Sequence, residues 1–268
     1  MYEEPYRWVE AVGNRRHYLD EQFKQGAPVV AVSYADGILL LTASRGTPKL
    51  YEIYDRIGLG GMGHPADLEK LRFSLLELAH TEGFNRSPSD VTGARLVKYG
   101  LAPAIKQAFE EVYKAPFIVK ILLAEVGTKP GRDALLTINY DGAFEETNGY
   151  AILAATPAIQ AEMSAAMKEA NLGSASLAGA FDAAIRAWGI GSMAQSREQA
   201  EEDKEESPVV SLPAPASVES SVLTAHLHAT LAEKTLECAV LDRTIPGSSK
   251  YRSLKIDEVS RLLPNGLR

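Results

Sequence analysis

Residues 29–43 read Val-Val-Ala-Val-Ser-Tyr-Ala-Asp-Gly-Ile-Leu-Leu-Leu-Thr-Ala, and this stretch decides the fold class. Two apolar runs flank Asp36-Gly37, a dipeptide that favours the tight turn of a β-hairpin. We therefore expect strands over residues 29–34 and 38–43, paired with each other. This hairpin anchors the order of the elements on either side of it.

A helical pattern precedes the hairpin. Trp8, Val12, Leu19 and Phe23 fall on one stripe with charged residues between them, which is the pattern of an amphipathic helix. Gly26 follows as a stop signal. The sequence therefore predicts an N-terminal helix within residues 6–25.

Groups of strands and pairs of helices follow the hairpin. A strand over about 50–59 leads into the glycine-dense stretch 58–63, and two helices follow, over 66–82 and from Ser87 to Val112. The next predicted elements are strands over 117–126, 134–140 and 150–155, and then two helices, opened by Thr156 and by Ser174 or Ser176. The chain ends with a short helix over 222–232, strands over 236–242 and 251–255, and a terminal helix over 257–263. Runs of strands separated by paired helices favour an α+β layered sandwich over a strictly alternating parallel α/β fold.

The composition changes between residues 191 and 221. Residues 197–206 contain six acidic and two basic side chains, and residues 207–217 add three prolines among small residues. Such a composition is typical of a solvated, flexible segment. We expect one domain over residues 1–268, with a flexible acidic insertion at 191–221 and closing strands and a C-terminal helix at 234–263.

The overall composition excludes several classes of protein. It is that of an ordinary soluble globular chain, with 46% hydrophobic and 24% charged residues. A net charge of −7 argues against general nucleic-acid binding. No apolar run approaches the roughly 18 residues that span a bilayer, and the first residues lack the basic and apolar regions of a signal peptide. We expect a cytoplasmic protein that binds neither nucleic acid nor membrane and carries no metal or cofactor.

Three features suggest chemistry, and each has a simpler explanation. The glycine stretch 58–63 could cradle a phosphate, but no Gly-Lys-Ser/Thr follows it, and close packing of the backbone is the favoured interpretation. Cys238 lies in the middle of a predicted strand, where a buried thiol acts as a small hydrophobic group rather than a nucleophile. His226 and His228 lack a third ligand for a metal site. No Gly-x-Ser-x-Gly motif of a serine hydrolase occurs.

Six segments of the sequence are informative when taken together. They are 30–40 (Val-Ala-Val-Ser-Tyr-Ala-Asp-Gly-Ile-Leu-Leu), 49–58 (Lys-Leu-Tyr-Glu-Ile-Tyr-Asp-Arg-Ile-Gly), 86–93 (Arg-Ser-Pro-Ser-Asp-Val-Thr-Gly), 123–126 (Leu-Ala-Glu-Val), 138–142 (Ile-Asn-Tyr-Asp-Gly) and 236–243 (Leu-Glu-Cys-Ala-Val-Leu-Asp-Arg). As a set, these segments resemble the proteasome family, and specifically the α subunits of bacterial, actinobacterial-like proteasomes. They occur in the family's order, and the stretch around 191–233 departs from it by being longer. The resemblance implies the fold of the N-terminal nucleophile hydrolases, a four-layer αββα sandwich of two antiparallel sheets between helical layers.

The resemblance also implies that this chain is not catalytic. In catalytic members the mature chain begins with a threonine, whose hydroxyl attacks the peptide while its free α-amine acts as base, and an aspartate and a lysine complete the site. Here Ala27 stands at the threonine position, Ala43 at the aspartate position, and Glu52 about where the lysine would lie. We therefore expect no catalytic residue.

A docking pocket is implied in place of the catalytic site. In the α subunits of the family, a lysine at the start of the third strand binds the C-terminal carboxylate of a docking regulator, in a pocket between neighbouring subunits. Lys49 occupies that position, and Gly26 and His64 match positions that line the pocket. Residues 1–5 match the gate region by place only.

The expected function is therefore that of a non-catalytic, ring-forming subunit. By resemblance its partners are neighbouring α subunits in a ring of seven, catalytic β subunits, a hexameric AAA+ ATPase regulator and unfolded protein substrates. Two alternatives stay open: a stand-alone, self-processing hydrolase of the same fold, and an assembly or scaffold protein that uses the fold only to oligomerise.

Overall fold

The computed structural model describes residues 5–111, 113–170, 172, 175–202, 220–264 and 266–267. These residues form two five-stranded sheets in which every strand pairs antiparallel with its neighbours. Of the gate region expected at residues 1–5, only Pro5 lies within the described part. No helix in that part of the chain is long and apolar enough to cross a membrane.

The first sheet contains the predicted hairpin. Its strands are β1 (Val29–Tyr34), β2 (Gly37–Ser44), β8 (Tyr150–Leu153), β9 (Thr235–Asp242) and β10 (Tyr251–Ser253), in the order β10-β9-β2-β1-β8. Tyr34 pairs with Gly37 across a two-residue turn, so the prediction made from Asp36-Gly37 is confirmed. β2 lies at the centre of this sheet and is buried along its whole length.

The second sheet contains the glycine stretch. Its strands are β3 (Leu50–Tyr54), β4 (Ile57–Gly63), β5 (Val119–Glu125), β6 (Ala134–Ile138) and β7 (Phe144–Thr147), in that order. The prediction of one strand over 50–59 was wrong, because the chain turns at Asp55-Arg56 and returns as β4. The glycines therefore belong to a strand that is paired on both sides, and its amides are not available to cradle a phosphate.

Helices cover the outer faces of the two sheets. Their bounds are α1 (Pro5–Phe23), α2 (Pro65–Asn85), α3 (Gly93–Leu96), α4 (Ala102–Glu110), α5 (Pro157–Glu169), α6 (Leu177–Glu202), α7 (Ser220–Glu233) and α8 (Ile256–Leu262). One apolar cluster lies between the first sheet and α5–α7, a second lies between the sheets, and a third lies between the second sheet and α2–α4. The four-layer αββα prediction is confirmed. The C-terminal half of α1 places Leu19 and Phe23 in the core between the sheets.

Two glycines of β4 explain how closely the layers approach. A Cβ atom on Gly60 would lie 2.7 Å from Cγ1 of Val29 in the facing sheet. A Cβ on Gly61, which points the other way, would lie 2.3 Å from Cδ1 of Leu68 on α2. The glycines thus allow a sheet and a helix to pack against opposite faces of one strand.

The helix predicted from Ser87 to Val112 is divided into shorter pieces. Ser87 caps only a 3₁₀ turn at Pro88–Asp90, and Thr92 caps α3 by accepting from the Arg95 amide. A π-helical turn at Val97–Leu101 then joins α3 to α4. The carboxylate of Glu125 on β5 accepts the Gly93 amide at 2.7 Å, and this contact fixes where α3 begins. Val112 lies outside the described residues.

The prediction of a flexible segment from residue 191 was wrong for its first part. Residues 191–202 continue α6, and Ser192, Ala194 and Gln195 are buried. Residues 220 and 221 begin α7. The helix was missed because its buried face changes there from large apolar side chains to small and amide side chains. Residues 203–219 lie outside the described part of the chain.

Candidate functional site

A cavity of about 370 Å³ opens where β1 begins and β2 ends. We call it the Lys49 cavity. Its walls are Gln25, Ala27, Ala43, Ser44, Arg45, Thr47, Lys49, Pro65, Ser192, Gln195, Ser196, Gln199 and Lys234. Three of the described residues that line it are basic and none is acidic. Within a chain whose net charge is −7, this is a local concentration of positive charge.

Ala27 and Ala43 both lie in the wall of this cavity. Ala27, which follows α1, is 5% exposed, and Ala43, near the end of β2, is 0% exposed. These are the two positions that the family resemblance assigned to the nucleophile and its aspartate. Neither methyl group can attack a carbonyl or hold a proton.

Lys49 lies in the same cavity, just before β3. Its backbone N–H donates to Oε2 of Glu237 on β9 at 2.9 Å, which fixes the start of β3 against the other sheet. Burial lowers the pKa of the Lys49 ammonium from its ordinary value of 10.5, the charge of Glu237 raises it, and the charge of Lys234 lowers it. Oε1 of Glu237 is buried without a hydrogen-bond partner in the described structure.

Glu52 lies outside the Lys49 cavity. Its carboxylate accepts from the Ser249 hydroxyl at 2.6 Å on the exposed side of β3. Two lysines, Lys49 and Lys234, line the cavity with Ala27 and Ala43, whereas Glu52, expected about where the catalytic lysine would lie, is not among the residues that line it. β3 begins at Leu50, so Lys49 immediately precedes the strand, whereas Glu52 lies three residues after Lys49, within the strand.

Side chains of α6 hold the main chain between α1 and β1. The Nε2 group of Gln195 donates to the carbonyls of Lys24 and Gly26, the latter at 3.1 Å, and that of Gln199 donates to Lys24 at 2.9 Å. The indole of Trp188 donates to the Pro28 carbonyl at 3.0 Å. Gly26 is not among the lining residues; it lies in the chain between the lining residues 25 and 27, and its carbonyl accepts from the lining residue Gln195.

These glutamines were not among the residues predicted from the sequence, although a signal was present. The apolar stripe of α6 runs through Phe181, Ile185 and Trp188, and the same helical spacing continues through Ser192, Gln195 and Gln199. The acidic composition of the residues that follow obscured this continuation.

His64 lies beside a different opening. Its Nδ1 accepts the Ala66 amide at 3.3 Å and so caps the N-terminus of α2. Its side chain lines a groove of about 740 Å³ between α2 and α4, whereas the next residue, Pro65, lines the Lys49 cavity. The structure thus brings Lys49 and the surroundings of Gly26 together, with His64 on the far side of Pro65.

Cys238 is 4% exposed within β9. Burial and the charge of Glu237 raise the pKa of the Cys238 thiol, which keeps it in the weakly nucleophilic thiol form. The interpretation as a small hydrophobic residue agrees with this environment.

The two histidines of α7 have separate partners. Nε2 of His226 lies 3.1 Å from Oγ of Ser192, and Nε2 of His228 lies 2.5 Å from the Gly266 carbonyl. Burial and the charge of Lys234 lower the pKa of His226. No group of three or more histidine, cysteine, aspartate or glutamate residues able to hold a metal ion occurs in the part of the chain that the structure describes.

Comparison with known proteins gives the family. Residues 23–196, well over half of the chain, match the family of proteasome subunits. A proteasome subunit alpha from Actinosynnema mirum is 34% identical over 182 residues, which cover 67% of each chain. A proteasome subunit alpha from Streptomyces coelicolor is 26% identical over 259 residues, covering 96% of this chain and 88% of that protein. One from Acidothermus cellulolyticus is 32% identical over 139 residues, covering 51% and 59%. The chain therefore belongs to the proteasome subunit family, and the relatives it matches are bacterial α subunits.

Proposed function

We propose that this chain is a non-catalytic α-ring subunit of a bacterial proteasome core. One observation supports the proposal: Ala27 and Ala43, the positions at which the resemblance expects the nucleophile and its aspartate, line one cavity with Lys49, and neither alanine has a reactive side chain. A threonine-type hydrolase needs both a hydroxyl and a free α-amine on the same residue. Cleavage before residue 27 would expose an alanine, which has only the amine.

The same cavity supports a docking role for Lys49. An ammonium in a partly buried site binds a peptide α-carboxylate through charge-assisted hydrogen bonds, which are stronger than neutral ones. Gln195 holds the Gly26 carbonyl at the rim, so that wall of the cavity is fixed before a ligand arrives. We propose that Lys49 and the main chain around Gly26 form the site that receives the C-terminus of a hexameric AAA+ ATPase, with His64 outside this cavity on the other side of Pro65.

The proposed assembly is a ring of seven copies stacked on a ring of catalytic β subunits in the cytoplasm. In this arrangement the chain restricts entry to unfolded protein substrates and supports the β ring. Co-expression with a catalytic β subunit tests it: the mass of the purified complex should exceed that of one chain many times over. A stable monomer that ignores the β subunit would remove the ring from the proposal.

A charge reversal tests the docking site in the assembled particle. Lys49→Glu should weaken ATPase-stimulated proteolysis by about tenfold or more, since the loss of one charge-assisted hydrogen bond costs about 1.5–3 kcal/mol and repulsion is added. Cleavage of small peptides should be unchanged, because Lys49 takes no part in the chemistry. Lys168→Glu, at the exposed end of α5, is the control. Stimulation equal to that of the unmodified particle would remove Lys49 from docking.

A stand-alone hydrolase is the alternative, and one contact favours it. The Ser192 hydroxyl lies 3.1 Å from His226 and lines the Lys49 cavity, so a hydroxyl and a base are adjacent. Against this, Ser192 is 5% exposed, and no carboxylate orients the imidazole among the described residues. A fluorophosphonate probe followed by mass spectrometry separates the two functions. We expect no adduct on Ser192, and a stoichiometric adduct would favour the hydrolase.

A further inference from the structure

The cations of the Lys49 cavity come from two segments that are far apart in the sequence. Arg45 and Lys49 flank the connection between β2 and β3, and Lys234 joins α7 to β9. The acidic side chains that contact these segments, Glu237 and Glu233, do not line the cavity. Glu237 contacts the backbone of Lys49, and Glu233 lies 3.6 Å from Arg45 in a pair whose two side chains are each 73% exposed.

Lys234 has no close partner for its charge. No hydrogen bond or ion pair to its ammonium, or to that of Lys49, forms within the described residues. Burial lowers the pKa of Lys234, the charge of Arg45 lowers it further, and the charge of Glu233 raises it. Its charge also lowers the pKa of Lys49, so the two ammonium groups act on one another. A single carboxylate bound at Lys49 would leave this second charge uncompensated.

We propose that the Lys49 cavity accepts two carboxylates of one peptide: the terminal carboxylate at Lys49 and the side-chain carboxylate of an acidic C-terminal residue at Lys234. This inference rests on the docking role proposed for Lys49 and names the class of ligand, a peptide that ends in glutamate or aspartate. Lys234 is then the residue that determines specificity.

The dimensions and lining of the cavity fit such a residue. A volume of about 370 Å³ has room for an acidic C-terminal residue. The hydroxyls of Ser44 and Thr47 lie in the same wall as the cations and can donate to carboxylate oxygens. Since the described lining contains no acidic side chain, neither carboxylate meets a like charge.

Four labelled peptides test the inference on the assembled full-length protein. They share one sequence and end in Ala-Glu or Ala-Gln, each as the free acid and as the C-terminal amide, with fluorescein at the N-terminus. Fluorescence anisotropy should rank the Glu acid first, with the Gln acid weaker by about tenfold, the size of one charge-assisted hydrogen bond. Equal affinity of the Glu and Gln acids would overturn the second carboxylate site.

The two amidated peptides distinguish this inference from the docking role on which it rests. If amidation abolishes binding while Glu and Gln are equal, docking at Lys49 stands and the role of Lys234 falls. If all four peptides bind alike, both fall. Lys234→Gln should reduce the preference for Glu over Gln to less than about twofold, whereas the control Lys168→Gln should retain it. A preference that survives in Lys234→Gln would assign the second carboxylate elsewhere. The peptide comparison on the unmodified protein decides the matter even if that variant fails to fold.

Discussion

The pKa of Lys49 is set by burial and by two charged neighbours, and these influences act in opposite directions. Burial lowers the pKa of the ammonium, the carboxylate of Glu237 raises it, and the ammonium of Lys234 lowers it again. The protonated form binds a carboxylate, so affinity is complete below this pKa and is lost as the pH rises through it. Glu237 therefore extends the pH range over which the cavity binds, although it lies outside the lining.

Replacing Glu237 by glutamine should move the pH dependence of binding. The amide oxygen can still accept the Lys49 N–H, but the negative charge is gone, so the pKa of Lys49 falls further below 10.5. The midpoint for loss of a carboxylate-terminated peptide should shift to lower pH. Anisotropy titrations of the unmodified protein and Glu237→Gln measure this shift. Glu52→Gln, on the exposed side of β3, is the matched control, and identical midpoints for all three proteins would contradict the role given to Glu237.

At the scale of elements, α6 contributes residues to the cavity that could not be recognised from the composition of its segment. Its first half is anchored by Phe181 and Trp188, both of which are 0% exposed. Its second half turns amide groups toward the main chain between α1 and β1, where strand ladders cannot satisfy the carbonyls of Lys24 and Gly26. The composition of the segment is dominated by its acidic side chains, so it gives no indication that Gln195 and Gln199 face the main chain.

Gln195→Ala should destabilise the protein through the Gly26 carbonyl, since the Lys24 carbonyl keeps the amide of Gln199. A buried acceptor left without its partner costs about 1–3 kcal/mol, which lowers the Tm of a chain of this size by roughly 2–4 °C per kcal/mol. Thermal unfolding at fixed protein concentration measures the change. Gln160→Ala, at an exposed position on α5, should leave the Tm within about 1 °C, since surface substitutions usually have small effects. Equal melting of the two variants would show that water replaces the amide of Gln195.

Replacing Gly60 of β4 by alanine should destabilise the protein, although strand propensity alone predicts a slight stabilisation. Alanine at position 60 should favour a strand slightly, but its Cβ would lie 2.7 Å from Cγ1 of Val29. A β-branched valine in a packed core cannot rotate away, so Gly60→Ala should cost about 1–3 kcal/mol. The control is Gly13→Ala on α1, where no atom lies within 4 Å of the added Cβ and helix propensity predicts a gain of about 0.5–1 kcal/mol. Urea unfolding that ranks both variants alike would contradict the close sheet packing.

At the scale of the molecule, local patterns predicted the layers but not the site. The turn dipeptide, the helical stripes and the alternation of strand and helix groups are signals within about 20 residues, and these led to the αββα sandwich. The Lys49 cavity joins segments around residues 27, 45, 192 and 234, and no local period relates them. Lys49 and Gly26 were found through the family resemblance. Lys234 and Gln195 required the folded chain, because only sheet pairing and helix packing bring them to the same place.

One buried ion pair joins the two sheets at the far side of the sandwich. Arg243, which follows β9 of the first sheet, donates to both oxygens of Asp133 at 3.1 and 3.0 Å and to the Gly127 carbonyl at 3.0 Å. Asp133, which precedes β6 of the second sheet, accepts the Gly127 amide at 2.9 Å. The side chains are 10% and 5% exposed, so either charge left alone would be poorly solvated.

Arg243→Met should therefore destabilise the protein by about 3–5 kcal/mol, because it leaves the Asp133 carboxylate buried without its cation. The double variant Arg243→Met, Asp133→Leu should recover much of the lost free energy of unfolding, since an apolar pair has no desolvation penalty. The recovered free energy measures how much of the loss in Arg243→Met came from the unpaired Asp133 carboxylate. Arg252→Met provides the contrast. Its pair with Glu258 is 2.6 Å long but 41% and 36% exposed, so its loss should lower the urea midpoint far less than the loss of Arg243 does. If the two arginine variants unfold at the same urea concentration, the join between the sheets depends on apolar contacts alone.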